Sequence, residues 1–179
     1  MINILGLAGS GKSTQGQLIA KRLGCPWVSM STLLKENGDD KVQEDILAGR
    51  IVDDKITLRI LDDYLSSISA DKNEFVIDGW PRALSQAEWL VAKIKAGELL
   101  SSGIIHLKAH QHIAKDRLMH RGRIDDTEEA IAKRFNDYRT TILPILDYLS
   151  SQGLKVYDID ADDSIEQVEQ GVNRALGLS

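Results

Sequence analysis

Short runs of apolar residues alternate along the chain with longer segments in which apolar residues recur every three or four positions. The short runs are typical of buried strands, and the longer segments have the period of amphipathic helices. Strands are predicted at residues 2–5, 26–29, 74–77, 104–107 and 155–159. Helices are predicted at residues 12–23, 56–68, 85–96, 111–120, 127–150 and 164–176. This alternation predicts an α/β fold with a five-stranded parallel sheet between two layers of helices.

Capping signals mark the beginnings of two of these helices. Thr127 is followed by Glu128 and Glu129, as expected for an N-cap with acidic residues in the first turn. Ser164 is followed three residues later by Gln167, which is the spacing of a capping box. Both signals favour helices that begin directly after the capping residue.

Two polar segments interrupt the alternation of strands and helices. Residues 30–52 contain short helical pieces, and residues 121–126 form a compact charged segment between two predicted helices. Polar insertions at the carboxyl ends of parallel strands commonly form substrate sites and moving lids. We therefore expect one domain over residues 1–179, with a substrate-binding insert at 30–52 and a short lid at 121–126.

Composition narrows the class of protein. A chain of 179 residues, 42% of them hydrophobic, can form one domain with a substantial core. The formal net charge of −5 argues against a general nucleic-acid or membrane-surface binder, which needs a basic surface. No apolar run approaches the roughly 20 residues of a membrane helix, and the first strand begins too early for a signal peptide. We expect a soluble, cytoplasmic protein.

Several residue types are expected to have structural roles only. A single cysteine, Cys25, excludes a disulfide framework and a cysteine-rich zinc site. The aspartate pairs that begin at positions 39, 53, 62 and 162 are interpreted as solvated faces or helix caps, whereas the pair Asp125-Asp126 is expected at the lid hinge beside Arg123. The tryptophans are interpreted as packing or pocket-wall residues: Trp27, Trp80 and Trp89. The histidines are interpreted as surface or cap residues, because no familiar set of metal ligands accompanies them: His106, His110, His112 and His120.

The most specific motif, at residues 6–14, follows the first predicted strand. Glycines followed by a lysine and two hydroxyl residues at the start of a helix are typical of a phosphate-binding loop (P-loop). Lys12 is expected to contact the β- and γ-phosphates, and Ser13 and Thr14 can reach Mg²⁺. The predicted triphosphate-binding residues of the loop are Gly9, Ser10, Gly11, Lys12, Ser13 and Thr14. The motif predicts that the chain binds a nucleoside triphosphate in a P-loop NTPase fold.

A second motif ends the third predicted strand, at residues 75–82. An apolar run that ends in Asp78 places a carboxylate near the Mg²⁺, commonly through water, and completes the metal site begun by Ser13 and Thr14. Arg82 follows on the turn, where its guanidinium can hold an anion through two hydrogen bonds. The two motifs together predict a site for a triphosphate and a second anion.

Arginines are concentrated in one stretch of this acidic chain. Phosphoryl transfer needs planar donors around oxygens whose charge changes in the transition state. Arg139 is expected to form only local ion pairs on its helix. The arginines predicted to contact ligand are Arg117, Arg121, Arg123 and Arg134.

These motifs together resemble the nucleoside monophosphate kinases of the adenylate kinase family, over nearly the whole chain. Residues 9–15 are similar to the family's phosphate loop, and residues 77–82 with Gln86 resemble its Asp-Gly-aromatic-Pro-Arg segment and base-reading glutamine. Residues 47–52 are similar to the segment that lines the monophosphate base pocket, and residues 122–135 to the lid boundary and the following helix. The resemblance implies a three-layer α/β/α P-loop kinase that transfers a phosphoryl group from ATP·Mg to a nucleoside monophosphate.

The resemblance also implies roles for individual residues. The catalytic set would be Lys12, Arg82, Arg117, Arg121, Arg123 and Arg134. ATP would contact the loop residues 9–14 together with Arg117 and Arg121. The acceptor monophosphate would contact Met30, Lys35, Arg50, Ile51, Val52, Gly79, Arg82, Gln86, Arg123 and Arg134. Mg²⁺ would be held by Ser13, Thr14 and Asp78, partly through water, and no zinc is expected.

Four features depart from the family pattern. Ser13 stands where the family usually has glycine, so the loop resembles the general version with a hydroxyl on Mg²⁺. Lys35 stands where an arginine usually holds the acceptor phosphate, and Met30 where a threonine or serine usually contacts the base. A single glycine separates Arg121 from Arg123, so the lid is very short.

AMP is the leading acceptor, because Gln86 resembles the family's base-reading residue. Because Met30 departs from the family pattern, a pyrimidine (UMP or CMP) kinase is an alternative. Ser13 and Lys35 favour a second alternative, a small-metabolite P-loop kinase. A weakly catalytic nucleotide-binding regulatory protein is the alternative from a different class. The expected partners are ATP and a nucleoside monophosphate, without nucleic acid or membrane, and the chain is expected to be a monomer.

Overall fold

The computed structural model describes residues 1–47, 52–123 and 126–178. The strands are β1 (Ile2–Gly6), β2 (Trp27–Ser29), β3 (Val76–Asp78), β4 (Gly103–Lys108) and β5 (Val156–Asp160). The α-helices in these ranges are α1 (Lys12–Leu23), α2 (Met30–Asn37), α3 (Asp40–Leu47), α4 (Asp54–Ser67), α5 (Leu84–Lys95), α6 (Gln111–Arg121), α7 (Glu128–Asp137), α8 (Leu143–Ser151) and α9 (Ile165–Leu176). Each predicted strand is present, with ends displaced by one or two residues at most.

The strands form one parallel sheet in the order β2-β3-β1-β4-β5. In the central strand, Ile4 pairs with Asp78 on one side and with Ile105 on the other. The strand order reverses between β1 and β3, so their carboxyl ends border the crevice in which ligands bind in open α/β sheets. The predicted parallel sheet is confirmed.

Apolar side chains cover both faces of the sheet, which gives the predicted three layers. One face packs on α4, α5 and α8 through residues such as Leu61, Leu90 and Leu146. The opposite face packs on α1 and α9 through Ile19 and Val172. Burial on both faces explains why the inner strands β1, β3 and β4 are short and largely apolar.

A smaller apolar cluster lies beside the phosphate loop. Leu7 packs there with Leu118 of α6 and with Ile131 and Phe135 of α7. These contacts join the two helices that flank the predicted lid to the loop that follows β1. The arginines of both helices are thereby held close to the phosphate loop.

The predicted helix over residues 127–150 is not one regular α-helix. A π-helical segment, Tyr138–Ile142, separates α7 from α8. Pro144 lies in the first turn of α8, and because it lacks an N–H group it cannot donate to the carbonyl four residues earlier. The predicted N-caps are confirmed: Thr127 accepts from the Ala130 N–H, and Ser164 forms a capping box.

None of the helices within the described ranges has both the length and the apolar character needed to span a membrane.

Candidate active site

The phosphate loop joins β1 to α1, and two of its glycines have backbone conformations that other residues rarely adopt. Gly9 has a φ of +84°, and a Cβ atom there would lie 2.4 Å from the carbonyl oxygen of Ala114 in α6. Gly11 precedes α1 with a φ of +92°, and a Cβ atom there would meet nothing within 4 Å. The loop can therefore pack against α6 while α1 begins beside open space, where its N-terminus can face an anion.

Lys12 is the charged side chain of this loop. Its Nζ donates to the carbonyl oxygens of Gly6 and Leu7, at 3.0 and 2.8 Å. Burial lowers the pKa of Lys12 to about 8, and Asp78 opposes this effect. Three cations also lower it: Arg82, Arg121 and Arg134. An anion bound among these groups would favour the charged lysine, so the cluster suits a polyphosphate.

Asp78 ends β3 beside Lys12 and is only 4% exposed. Its carboxylate accepts a hydrogen bond from Trp27 Nε1 at 2.9 Å, and the hydroxyls of Ser13 and Ser29 interact with it. Burial raises the pKa of Asp78, while Ser13 and Lys12 act in the opposite direction. Carboxylate and hydroxyl oxygens are the ligands that Mg²⁺ prefers, and a cation would stabilise a buried carboxylate. The Ser13–Asp78 pair therefore fits a magnesium ion.

Arg82 lies between the end of β3 and the start of α5. Its Nε donates to the Gly79 carbonyl oxygen at 2.7 Å, which orients the guanidinium. The side chain interacts electrostatically with Asp78, Arg134 and Asp137. Arg82 thus shares the charged cluster of Lys12 although 70 residues of sequence separate them, as their numbers show.

Asp126 holds two of the predicted arginines together. Its side chain is 1% exposed and accepts from Arg121 Nε and Nη2, at 2.9 and 2.7 Å, and from Arg134 Nη1 at 2.9 Å. The backbone N–H of Arg123 also donates to this carboxylate, at 3.3 Å. The hydrogen bond from Arg121 is the main cause that lowers the pKa of Asp126 to about 2. Asp126 therefore ties the end of α6 to α7 and fixes both guanidinium groups.

Arg117 has a different environment from the other predicted arginines. Its Nη1 donates to the Ala161 carbonyl oxygen at 2.6 Å, and its Nη2 to those of Asp162 and Asp163, at 3.0 and 3.1 Å. These carbonyls belong to the loop between β5 and α9. Arg117 is thus placed at the β5–α9 loop, one helical turn from Arg121.

The predicted acceptor residues are distributed between core and surface. Met30 and Val52 are buried in the apolar core, whereas Lys35 is exposed at the end of α2. Gly79 lies at the turn after β3, where its carbonyl oxygen orients Arg82. The predicted acceptor residues Arg50 and Ile51 lie outside the described residues.

Gln86 is buried at 2% exposure in α5, and both ends of its amide have protein partners. Its Oε1 accepts from the Arg82 backbone N–H at 2.8 Å, and its Nε2 donates to Asp54 Oδ1 at 2.7 Å. The Asp54 carboxylate also accepts from the Ser85 hydroxyl. Asp53, in contrast, caps α4 through the Lys55 and Ile56 N–H groups, so only the first member of this aspartate pair is a cap.

Three contact residues were not assigned by sequence reasoning. Trp27 was expected as a packing or pocket-wall residue, Asp54 on a solvated face or cap, and Asp126 at the lid hinge without a named partner. A local pattern does not reveal such contacts, because Trp27 and Asp78 are 51 positions apart and Asp54 and Gln86 are 32 apart. For Asp126, the sequence offered one signal: it belongs to an aspartate pair, Asp125-Asp126, next to the arginines of the predicted lid.

The prediction that the histidines are surface or cap residues is wrong for His106. This residue is 5% exposed in β4, with Nδ1 at 2.7 Å from Asp158 Oδ1 and Nε2 at 2.7 Å from the Tyr138 hydroxyl. A buried imidazole can be accommodated because both ring nitrogens have partners. His106 therefore connects β4, β5 and the π-helical segment.

A phosphate loop, a buried carboxylate and a group of arginines thus converge at the carboxyl ends of β1 and β3. Fold and cleft together define the protein as a P-loop phosphotransferase.

Comparison with known proteins identifies the family. Residues 4–154 match the family model described as adenylate kinase. Adenylate kinase of Mycolicibacterium vanbaalenii is 34% identical over 98% of both chains. Adenylate kinase of Corynebacterium urealyticum is 32% identical over 97% of both chains. Adenylate kinase 1 of Nostoc sp. is 31% identical over 97% of this chain and 96% of its own. The chain belongs to the adenylate kinase family, and it is a nucleoside monophosphate kinase.

Proposed function

We propose that the protein transfers the γ-phosphoryl group of ATP·Mg to AMP and forms two molecules of ADP. A phosphate oxygen of AMP forms the new bond to the γ-phosphorus, and the bond to the β,γ-bridging oxygen breaks. The observation that carries the proposal is the electrostatic cluster around Lys12, in which Asp78, Arg82, Arg121 and Arg134 meet. Such a cluster supports two phosphate chains placed end to end, as in-line transfer requires.

The phosphate loop would bind the triphosphate. The backbone N–H groups of residues 9–14 and the N-terminus of α1 would face the β- and γ-phosphates. Lys12 would leave the carbonyl oxygens of Gly6 and Leu7 and donate to phosphate oxygens, which compensate for its burial. Binding energy at this loop would position the γ-phosphorus for attack.

Ser13, Thr14 and Asp78 would hold Mg²⁺, partly through water. The support is the oxygen chemistry of these side chains and the interaction of the Ser13 hydroxyl with the Asp78 carboxylate. When bound, Mg²⁺ would neutralise charge on the phosphate oxygens. Trp27 and Ser29 would keep the Asp78 carboxylate in place from β2.

The acceptor would bind on the opposite side of the cleft. Arg82 would hold the α-phosphate of AMP, with Gly79 orienting its guanidinium. Gln86 would read the base, and Lys35 would contribute a positive charge from the end of α2. Residues 30–52 would form the acceptor-binding insert, in which Met30 and Val52 contribute buried apolar surface, together with Arg50 and Ile51.

Residues 121–126 would act as a short lid. Arg121 and Arg134, held by Asp126, would donate to the oxygens of the transferring group, and Arg123 would reach the acceptor phosphate. Arg117 of α6, held against the β5–α9 loop by its hydrogen bond to the Ala161 carbonyl oxygen, would contact ATP. Closure of the lid would exclude water that would otherwise hydrolyse ATP.

The test is an assay of purified protein with ATP and Mg²⁺ against AMP, CMP, UMP, GMP and dCMP, with products separated by chromatography. ADP formed with AMP in preference to the other acceptors is the expected result. A preference for UMP or CMP would replace AMP by a pyrimidine acceptor. No diphosphate from any acceptor, with ATP binding intact, would favour a small-metabolite kinase or a nucleotide-binding regulatory protein. The cytoplasmic location and the monomeric state stay predictions.

A further inference from the structure

Two neighbours hold the Gln86 amide in one orientation. The Asp54 carboxylate accepts from Gln86 Nε2 at 2.7 Å, and the Arg82 backbone N–H donates to Gln86 Oε1 at 2.8 Å. Asp54 is itself oriented, because the Ser85 hydroxyl donates to its second oxygen. Asp54 begins α4 while Gln86 lies in α5, so the contact joins the N-terminal ends of two helices.

These contacts determine which way the amide can lie. A carboxylate only accepts hydrogen bonds and a backbone N–H only donates one. Rotation of the amide by 180° would place Oε1 against Asp54 and the NH₂ group against the Arg82 N–H. Because Gln86 is only 2% exposed, water cannot replace the two hydrogen bonds that the rotation would break. Within the described part of the chain, the contacts leave one N–H and one lone pair of Gln86 for a ligand.

The orientation of the Gln86 amide matters because two types of purine base present opposite patterns of hydrogen-bond donors and acceptors at the same edge. A 6-amino purine offers a donor at N6 and an acceptor at N1. A 6-oxo purine offers an acceptor at O6 and a donor at N1–H. A glutamine free to rotate can pair with either pattern, whereas a fixed glutamine matches one and leaves unpaired groups against the other.

We propose that Asp54 is a specificity-determining positioning residue. By fixing the Gln86 amide, Asp54 restricts the acceptor to a 6-amino purine monophosphate and excludes its 6-oxo counterpart. The inference rests on the proposed function, in which Gln86 reads the base of AMP. It assigns discrimination within the purines to a residue that need not touch the nucleotide.

The test compares kcat/KM for AMP and for inosine monophosphate, which differ only at the 6-position edge. In Asp54→Asn the new side chain is nearly isosteric with aspartate, and its amide can offer Gln86 either a hydrogen-bond acceptor or a donor. We expect this variant to lower the AMP-to-inosine-monophosphate ratio about tenfold, mainly by a gain on inosine monophosphate, because a charge-assisted hydrogen bond no longer opposes rotation. Asp53→Asn is the matched control, since it removes the neighbouring carboxylate, keeps a good N-cap, and should leave the ratio unchanged.

Two more variants keep the test decisive. In a Gln86→Ala background, Asp54→Asn should no longer change the ratio, because the amide that it controls is absent. Asp54→Glu retains a carboxylate and should preserve the preference for AMP if Asp54→Asn does not fold. Equal losses on both acceptors in Asp54→Asn would overturn the inference and leave Asp54 a purely structural role. A wild-type protein that phosphorylates neither purine would instead overturn the proposed function.

Discussion

The two sides of the cleft are built in different ways. On the triphosphate side, the loop residues from Gly9 to Thr14 are consecutive, and their geometry follows from glycines between a strand and a helix. On the proposed acceptor side, Gln86 depends on Asp54, which lies 32 positions away at the start of another helix. The first side uses backbone groups and local sequence, whereas the second uses side chains that different elements bring together. Substitution of the lysine in the loop should therefore abolish function, whereas substitutions on the proposed acceptor side should adjust it.

The largest effect is expected at Lys12. Lys12→Ala should reduce kcat at least about 1,000-fold, because the side chain proposed to contact the β- and γ-phosphates is lost. Steady-state kinetics with ATP and AMP will measure this. Lys21→Ala, which removes an exposed lysine from the last turn of the same helix, should leave kcat near the wild-type value. Substantial turnover by Lys12→Ala would contradict the assignment of the phosphate loop.

The next largest effect is expected at Asp126, which holds Arg121 and Arg134 together. Asp126→Asn should lower kcat by about 10- to 100-fold and the free energy of unfolding by about 2 kcal/mol, because two guanidinium groups lose a buried partner. Kinetics and urea unfolding will measure the two quantities. Asp116→Asn, at an exposed position of α6, is the control and should change neither. If Asp126→Asn lowered stability but left kcat unchanged, Asp126 would not position the arginines for catalysis.

Asp126 also predicts a pH dependence of stability. Its pKa in the folded protein is about 2, below the ordinary value of 3.8. The stabilisation by its ion pairs is therefore present above pH 3.8 and is lost as the pH falls towards 2. The difference in free energy of unfolding between wild type and Asp126→Asn should shrink over this interval in urea titrations. A difference that stays constant there would contradict the low pKa.

A smaller effect is expected at Trp27. Trp27→Phe keeps an aromatic side chain but removes the N–H that donates to Asp78, so Mg²⁺ should bind with nucleotide about three- to tenfold more weakly. Calorimetric titration of Mg²⁺ into protein saturated with a non-hydrolysable ATP analogue measures this without turnover. Trp89→Phe is the control: this side chain on α5 contacts Trp80 and Lys93, and the variant should behave as wild type. Equal Mg²⁺ affinities in Trp27→Phe and wild type would mean that Ser13 and Ser29 orient the carboxylate sufficiently.

The smallest effect is expected at Lys35. Lys35→Arg should lower the KM for AMP about two- to fivefold, because a guanidinium can hold a phosphate through two hydrogen bonds and an ammonium cannot. The KM for ATP, measured on the same enzyme, should not change. An unchanged or higher KM for AMP would mean that the acceptor phosphate is held elsewhere, with Arg82 as the main candidate.

Much of the fold was predictable because its signals are local. The apolar runs located all five strands, and the cap residues Thr127 and Ser164 located two helix starts. The break between α7 and α8 was missed, because apolar spacing continues across it although Pro144 interrupts the hydrogen-bond ladder. The burial of His106 was missed for another reason: its partners come from β5 and from the π-helical segment.

Sequence by itself determined the class of this protein, a P-loop kinase of α/β fold, because the phosphate loop, the strand ending in Asp78 and the arginine-rich stretch are each contiguous. Only the tertiary structure decided which side chains meet. It placed Trp27 on Asp78, Asp54 on Gln86 and Asp126 between two arginines. The first two contacts join residues 51 and 32 positions apart and depend on strand order and helix packing, which bring them within 3 Å, the range of a hydrogen bond. The contacts of Asp126 span only five and eight positions, but they depend on how α7 packs beside the end of α6.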